Sequence, residues 1–225
     1  MALPRLNNQN PVYEMVIPST KQTVKYRPFL VKEQKNLLIA MESQEPRQLM
    51  NAMLACLEAC VQNVNASKLS TFDVDYMFTQ VRSKSVGETT KIGTKCLECD
   101  TENEVTVDLA NIKMNTDLVK DPEIKLTDEI TLKMKYPSYD DMMKSDTIFT
   151  EEAKVVDLLF ETMVNCMHSI QTEEENILFK DESREEIENF VNSLTTAQLE
   201  LITSFVDSLP TLEHNETYTC APYGS

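Results

Sequence analysis

The amino-acid sequence predicts an α+β fold with a mainly helical core, an N-terminal β-hairpin and an inserted β-rich subdomain. Several long stretches repeat apolar residues every three or four positions, which is typical of helices that pack on a core. Residues 88–135 instead alternate apolar and polar residues, as strands do. With 41% hydrophobic and 26% charged residues in a chain of 225, the composition is that of a globular protein.

The first third of the chain combines the hairpin with three helices. Alternating apolar residues on either side of a turn at 18–21 predict the hairpin. From Val31 the spacing becomes helical, and Pro46 suits the first turn of a second helix with a continuous apolar stripe. A third helix is predicted from near Asp73 to a stop at Gly87.

The segment 88–135 is predicted to contain short strands. One run leads into Cys96-Leu97-Glu98-Cys99, and alternating residues follow it. A later pair of alternating segments surrounds 127–129 as the strands of a hairpin would. Because short strands need a partner surface, we expect this insert to pack on the helices.

The last third is predicted to be mainly helical. Thr150 suits the N-cap of a helix that is apolar over more than half its circumference and ends at Cys166-Met167-His168, with His168 as a cap of its C-terminus. Capping boxes open two further helices at Ser183 and Thr195. The sequence therefore predicts three parts: 1–87, the β-rich insert 88–135 and a helical part 136–225 that completes the core.

The charge is unevenly distributed. The formal net charge is −16. Residues 1–135 hold 18 acidic and 17 basic residues, whereas residues 136–225 hold 19 and 4, so the C-terminal part carries a net −15. We expect this acidity to keep the protein soluble rather than to define what it recognises.

Composition argues against several functional classes. Three glycines are too few for the glycine-rich loops that cradle phosphates in nucleotide-binding proteins. The negative charge disfavours nucleic acid and anionic membranes as partners. No apolar run approaches the roughly 20 residues that cross a bilayer, and no signal peptide is recognised, so we expect a protein made and used in a cytoplasm, with reduced cysteines.

The most specific chemical pattern is the pair Cys96-x-x-Cys99 between predicted strands. Two thiolates at this spacing hold one zinc ion in zinc-knuckle-like turns, and a tetrahedral site needs two more ligands. Cys220 and His214 near the C-terminus are the candidates. The alternatives are a metal-free buried pair and a redox dithiol, so the cofactor is either none or one structural zinc. Two cysteines on the second helix are instead expected to be buried in its apolar stripe, namely Cys56 and Cys60.

The sequence offers little for catalysis. It has two histidines and lacks both the Gly-x-Ser-x-Gly and His-Glu-x-x-His motifs. Its abundant carboxylates are more typical of a solvated surface than of a shared pocket. We therefore predict that the protein is not an enzyme, and we propose no catalytic residue. A zinc- or thiol-dependent enzyme built on Cys96 and Cys99 is the less favoured alternative.

Three phrases carry a family resemblance. They are Tyr-Arg-Pro-Phe-Leu-Val-Lys-Glu-Gln-Lys at 26–35, Phe-Asp-Val-Asp-Tyr-Met-Phe at 72–78 continued by Val-Arg-Ser-Lys-Ser-Val-Gly-Glu at 81–88, and Leu-Pro-x-Leu-x-His with Tyr-x-Cys at 209–220. They resemble the baseplate hub proteins of T-even-like contractile-tailed bacteriophages. The resemblance runs from about Pro11 to the end of the chain. Cys96 and Cys99 match the family's first cysteine pair, whereas Tyr223 stands where a second pair would end.

The resemblance implies a late protein that forms part of, or helps to assemble, the hub and central spike complex at the centre of the phage baseplate. It implies other hub proteins as partners, with no nucleic acid, membrane or small-molecule substrate. It further implies a location in the host cytoplasm during assembly or in the virion tail. The alternative is a tail assembly chaperone that is absent from the mature virion.

The candidate partner-binding residues lie in the near-neutral part of the chain. Their basic side chains are suited either to an acidic partner or to intramolecular pairing with the C-terminal acids. They are Arg27, Phe29, Lys32, Arg82 and Lys84.

Overall fold

The computed structural model describes residues 10–115, 122–145, 147–150 and 154–220, and these confirm the α+β fold. Their helices are α1 (Val31–Glu42), α2 (Pro46–Cys60), α3 (Thr71–Val86), α4 (Tyr139–Lys144), α5 (Val155–Cys166), α6 (Arg184–Ser193) and α7 (Thr196–Asp207). Their strands are β1 (Tyr13–Val16), β2 (Thr23–Tyr26), β3 (Thr89–Lys95), β4 (Glu102–Asp108), β5 (Lys113–Met114), β6 (Glu123–Lys125), β7 (Thr131–Met134), β8 (Met167–Gln171), β9 (Asn176–Leu178) and β10 (Leu212–Glu213).

The chain divides into two compact units. Unit 1 comprises Met1–Ala66, Phe72–Lys113 and Leu212–Ser225, and unit 2 comprises Ser67–Thr71 and Met114–Thr211. The hairpin β3–β4 falls in unit 1, and the hairpin β6–β7 falls in unit 2. The three-part division inferred from the sequence stays a prediction.

In unit 1 the predicted N-terminal hairpin is confirmed and is joined to the end of α2. Strands β1 and β2 are antiparallel, and the rings of Tyr13 and Tyr26 lie 5.6 Å apart. The backbone N–H of Arg27 donates to the carbonyl of Cys60 at 3.0 Å. Cys56 and Cys60 are both buried, as the apolar stripe of α2 predicted.

Helix α3 is held at both ends by features visible in the sequence. Its fully buried Asp73 accepts a hydrogen bond from the backbone N–H of Ser19 at 2.9 Å and another from the Ser19 hydroxyl, which ties the helix to the turn of the hairpin. The chain leaves the helix at Gly87 with φ 141°, a conformation that favours glycine. The predicted stop at Gly87 is therefore confirmed.

Unit 2 is built around a four-stranded antiparallel sheet in the order β6-β7-β8-β9. Helices α5, α6 and α7 contribute the other side of its core. The capping boxes predicted at Ser183 and Thr195 are confirmed, because each hydroxyl accepts from the backbone three residues later. The buried core residues are Leu132, Met134, Met163, Cys166, Met167, Phe179, Ile187 and Ile202.

The structure corrects two predictions about α5. The described helix begins at Val155 with Lys154 as its N-cap, so Thr150 is not the N-cap of this helix; residues 151–153 lie outside the described part of the chain. It ends at Cys166 and passes directly into β8, where His168 is exposed and is not a helix cap. Buried Met167 and Ser169 alternate with His168, which is the period of a strand.

Helix α5 is also less buried than its apolar sequence suggests. Val155 and Val156 are each 72% exposed, and Leu159 is 51% exposed. The buried residues that α5 contributes to the core, Met163 and Cys166, lie in its later turns. Among the described residues, no helix combines the length and the apolar character that crossing a membrane requires.

Candidate functional site

Three of the four predicted metal-ligating residues lie together in unit 1. The sulfur atoms of Cys96, Cys99 and Cys220 are all within 4.8 Å of one another, and those of Cys99 and Cys220 are 3.5 Å apart. Cys96 and Cys99 lie in the tight turn between β3 and β4. There the N–H of Asp100 donates to the carbonyl of Cys96 at 3.0 Å, and Asp100 itself has φ 54°.

The thiols of the cluster differ in pKa because their surroundings differ. The hydroxyl and the backbone N–H of Thr101 form hydrogen bonds with the Cys99 sulfur and lower the pKa of that thiol to about 7. Desolvation, followed by the neighbouring Cys99, raises the pKa of Cys220 to about 11. The side-chain amide of Asn103 points at the Cys220 sulfur from 3.6 Å. The sequence did not indicate Thr101 and Asn103 as part of the site, because neither residue is a usual metal ligand.

His214 is not part of this cluster. Its Nε2 atom lies 3.1 Å from a carboxylate oxygen of Glu216, and the three thiols form their group without it. Tyr223, at the other position that the sequence singled out, lies outside the described residues. The described residues therefore offer a set of three thiols.

The geometry of these thiols fits a zinc ion. Zinc–sulfur bonds of about 2.3 Å in a tetrahedron place the ligand sulfurs about 3.8 Å apart. The 3.5 Å between the sulfurs of Cys99 and Cys220 is close to this value, and the sulfur of Cys96 lies within 4.8 Å of both. A ligand turn between two strands is also a usual setting for structural zinc. Three thiolates would hold the ion and leave one coordination position for a further ligand. When bound, zinc would supply a cross-link between the β3–β4 turn and the C-terminal segment.

The predicted partner-binding arginine, Arg27, makes several contacts within unit 1. Its guanidinium donates to the carbonyl oxygens of Pro28 and Ala59, each at 2.9 Å, and to the carboxylate of Glu33 at 3.1 Å. Glu33 in turn accepts from the backbone N–H of Leu30 at 2.8 Å and so caps α1. The sequence reasoning missed Glu33, although its place in the first turn of a helix is a recognisable signal.

Other predicted partner-binding residues also have neighbours within unit 1. Lys84 pairs with Glu88 and lies 5.6 Å from the centre of the Tyr13 ring. Arg82 donates to the hydroxyl of Thr90 at 3.3 Å. These contacts do not involve the C-terminal acids, and the role of the basic residues toward a partner stays a prediction.

Phe29 and Lys32 complete the predicted set. Phe29 is half-buried, and its backbone N–H donates to the side-chain oxygen of Ser85 at 2.9 Å. Lys32 is exposed on α1. The segments 26–35 and 81–88, which carry the resemblance described above, are therefore in direct contact in the folded chain.

Comparison with protein families gives a match over nearly the whole chain. The sequence model of the family described as T4 bacteriophage base plate protein matches residues 10–223. The chain belongs to this family. No curated protein and no solved structure matches it.

Membership defines the general role of this baseplate protein. It has a structural or assembly role in the baseplate of a bacteriophage, with other baseplate proteins as its partners. It is associated with the virion tail. The family match covers both units of the fold, so the thiol cluster and the two contacting segments all lie within the matched region.

Proposed function

We propose that this baseplate protein is a subunit or an assembly factor of the hub and central spike complex, and that it acts through protein–protein contacts. The observation that carries the proposal is the family match over residues 10–223. The hub-like phrases at 26–35 and 81–88 support the finer assignment, because they form one contiguous structure through Phe29 and Ser85.

Quantitative mass spectrometry of purified virions tests the form of this role. A fixed copy number in complete particles supports a permanent hub subunit. Presence in assembling tails together with absence from complete particles supports the alternative, a chaperone that leaves before the virion matures. Absence from both tails and assembly intermediates would contradict the proposal.

We also propose that Cys96, Cys99 and Cys220 bind one structural zinc ion. The proposal is supported by the spacing of the sulfurs and by the lowered pKa of Cys99, which favours the thiolate that zinc requires. The zinc ion would fasten the C-terminal segment to the β3–β4 turn. Other baseplate proteins would then meet a preformed surface in unit 1.

Metal analysis of the purified protein tests this site. We expect about one zinc per chain in the natural protein and a loss of zinc in Cys99→Ser. The matched control is Cys56→Ser, which removes a thiol from α2 and should leave the zinc content unchanged. Zinc absent from the natural protein, or retained by a folded Cys96→Ser/Cys99→Ser variant, would overturn the proposal.

A further inference from the structure

We propose that a cleft in unit 2 binds a segment of another baseplate protein that presents an apolar side chain next to a lysine or an arginine. This inference rests on the proposed function, because it names the surface and the chemistry of one protein–protein contact. The cleft has a volume of about 210 Å³. It is called the acidic-rimmed cleft below.

The floor of the acidic-rimmed cleft is apolar. Phe179 and Phe190 meet edge to face with their ring centres 5.6 Å apart, and Ile187 lies beside them in the core. Ile170 of β8 and Ile177 of β9 are half-buried and complete the floor. Because β8 and α6 share one packed core and β9 is paired with β8, the cleft is formed by packed elements. An aliphatic or aromatic side chain would gain free energy by leaving water for this surface.

Two carboxylates form the rim. Glu182 and Glu186 line the cleft, and the interaction between their carboxyl groups raises the pKa of Glu182 and lowers the pKa of Glu186. Two carboxyl groups held this close repel each other when both are ionised. A cationic side chain placed between them would remove that repulsion and would form charge-assisted hydrogen bonds.

The surrounding charges favour the same occupant. Asp181 and Glu185 flank the rim, and residues 136–225 carry a net −15. The nearby Arg184 does not neutralise the rim, since its guanidinium contacts Glu161 and Glu188. The N-terminus of α6 would by itself attract an anion, but the side chains of Ser183 and Glu186 already cap it. An acidic partner segment is therefore disfavoured.

A peptide array tests the inference. The first probes are overlapping peptides from the other baseplate proteins of the same phage and from this chain itself. The second set is designed peptides in which apolar, basic and acidic residues occur in varied combinations. We expect the designed peptides that bind to share an apolar residue within two positions of a lysine or arginine. Glu182→Lys should weaken their binding at least tenfold. The matched control Glu200→Lys makes the same charge change at an exposed position of α7, outside the cleft lining, and should alter binding less than twofold.

The outcomes separate the cleft from the proposed function. Binding of both designed and baseplate peptides, sensitive to Glu182→Lys alone, supports the inference. Binding of designed peptides without any baseplate peptide would support the chemistry of the cleft but overturn the named partner. A preference for peptides of this chain would show a second copy as occupant and would overturn the inference. Equal effects of the two variants, or binding of acidic peptides, would also overturn it. If no peptide binds but the protein still enters hubs, the inference is overturned and the proposed function is not contradicted.

Discussion

The backbone N–H of Phe29 donates a hydrogen bond of 2.9 Å to the hydroxyl oxygen of Ser85, which lies 56 positions later in the chain. The same hydroxyl donates to the carbonyl of Val81. Ser85 therefore acts as acceptor and donor at once. This one side chain connects two of the segments that carry the family resemblance.

Removing the Ser85 hydroxyl should destabilise unit 1. Ser85→Ala leaves the half-buried N–H of Phe29 without this acceptor, which should lower the free energy of unfolding by about 1–2 kcal/mol. Urea unfolding followed by circular dichroism measures the change. Thr79→Val is the matched control, because the Thr79 hydroxyl on the same helix donates only to the carbonyl of Asp75 among its described contacts. An equal loss in both variants would show that Ser85 has no special role.

Glu33 should make the stability of unit 1 dependent on pH. Burial would raise the pKa of its carboxyl group, but the N–H of Leu30 and the guanidinium of Arg27 outweigh burial and hold the pKa below its usual value. The ionised form therefore stabilises the folded state above the usual pKa, and this contribution is lost as the pH falls through the lowered value. We expect Glu33→Gln to flatten the decline in stability below about pH 4.5.

Thermal unfolding between pH 3 and pH 7 measures this dependence. The control is Glu14→Gln, whose natural carboxylate lies 3.9 Å from the amino group of Lys25 with both side chains largely exposed. Exposed pairs of this kind contribute little. Parallel pH profiles for the natural protein and Glu33→Gln would contradict the assignment.

Several elements of the fold could be predicted because local pattern and tertiary structure agree. The period-two alternation around the turn at 18–21 and the stripe of α2 both describe a single buried face. Strands β8 and β9 could not be predicted in the same way. The apolar run of α5 continues into Met167 at helical spacing, so the sequence gives no local sign that the chain becomes a strand after Cys166. Pairing of β8 with β7, a distant segment, determines that change.

The ion pair between Glu161 and Arg184 should stabilise unit 2. Glu161 is 6% exposed, and Arg184 lies against it and over the ring of Phe160. Arg184→Met keeps an apolar side chain near Phe160 but leaves the buried carboxylate without its partner. Because the arginine itself is half-exposed, we expect a loss of about 1–2 kcal/mol rather than the larger cost of a fully buried pair.

Denaturant titration of two further variants isolates this pair. Glu188→Gln removes the exposed contact of Arg184 and should change the stability by less than about 0.5 kcal/mol. Glu161→Met/Arg184→Met should recover part of the loss of Arg184→Met, since no buried charge then remains unpaired. A double variant less stable than Arg184→Met would contradict this explanation.

The cysteines should differ in their rates of alkylation. The thiolate is the reactive form, and Thr101 lowers the pKa of Cys99 to about 7. Burial raises the pKa of Cys166 to about 12. In protein freed of metal by a chelator, iodoacetamide at pH 7.5 should modify Cys99 faster than Cys220, and Cys220 faster than Cys166. Peptide mass spectrometry gives the order.

Addition of zinc provides the control for the order of cysteine alkylation. Added zinc should protect Cys96, Cys99 and Cys220 while leaving the slow reaction of Cys166 unchanged. Protection of all cysteines alike, or of none in the cluster, would contradict a metal site formed by these three sulfurs.

The Cys-x-x-Cys motif alone identifies only part of the thiol cluster. The Cys-x-x-Cys spacing indicates a ligand turn because both thiols come from one short loop. Cys220 and His214 are candidates because the C-terminal segment resembles a degenerate second knuckle, but the ring of His214 lies beside Glu216. Which distant side chain joins a site depends on the path of the C-terminal segment, and no local spacing records that path.

We propose that assembly of a complete hub requires this protein. The most direct measurement is electron microscopy of cells infected with phage that carry an early stop codon in its gene. We expect few complete tails and baseplates without a complete hub, with normal tails restored when the natural protein is supplied from a plasmid. Complete tails in normal numbers without the protein would contradict the claim.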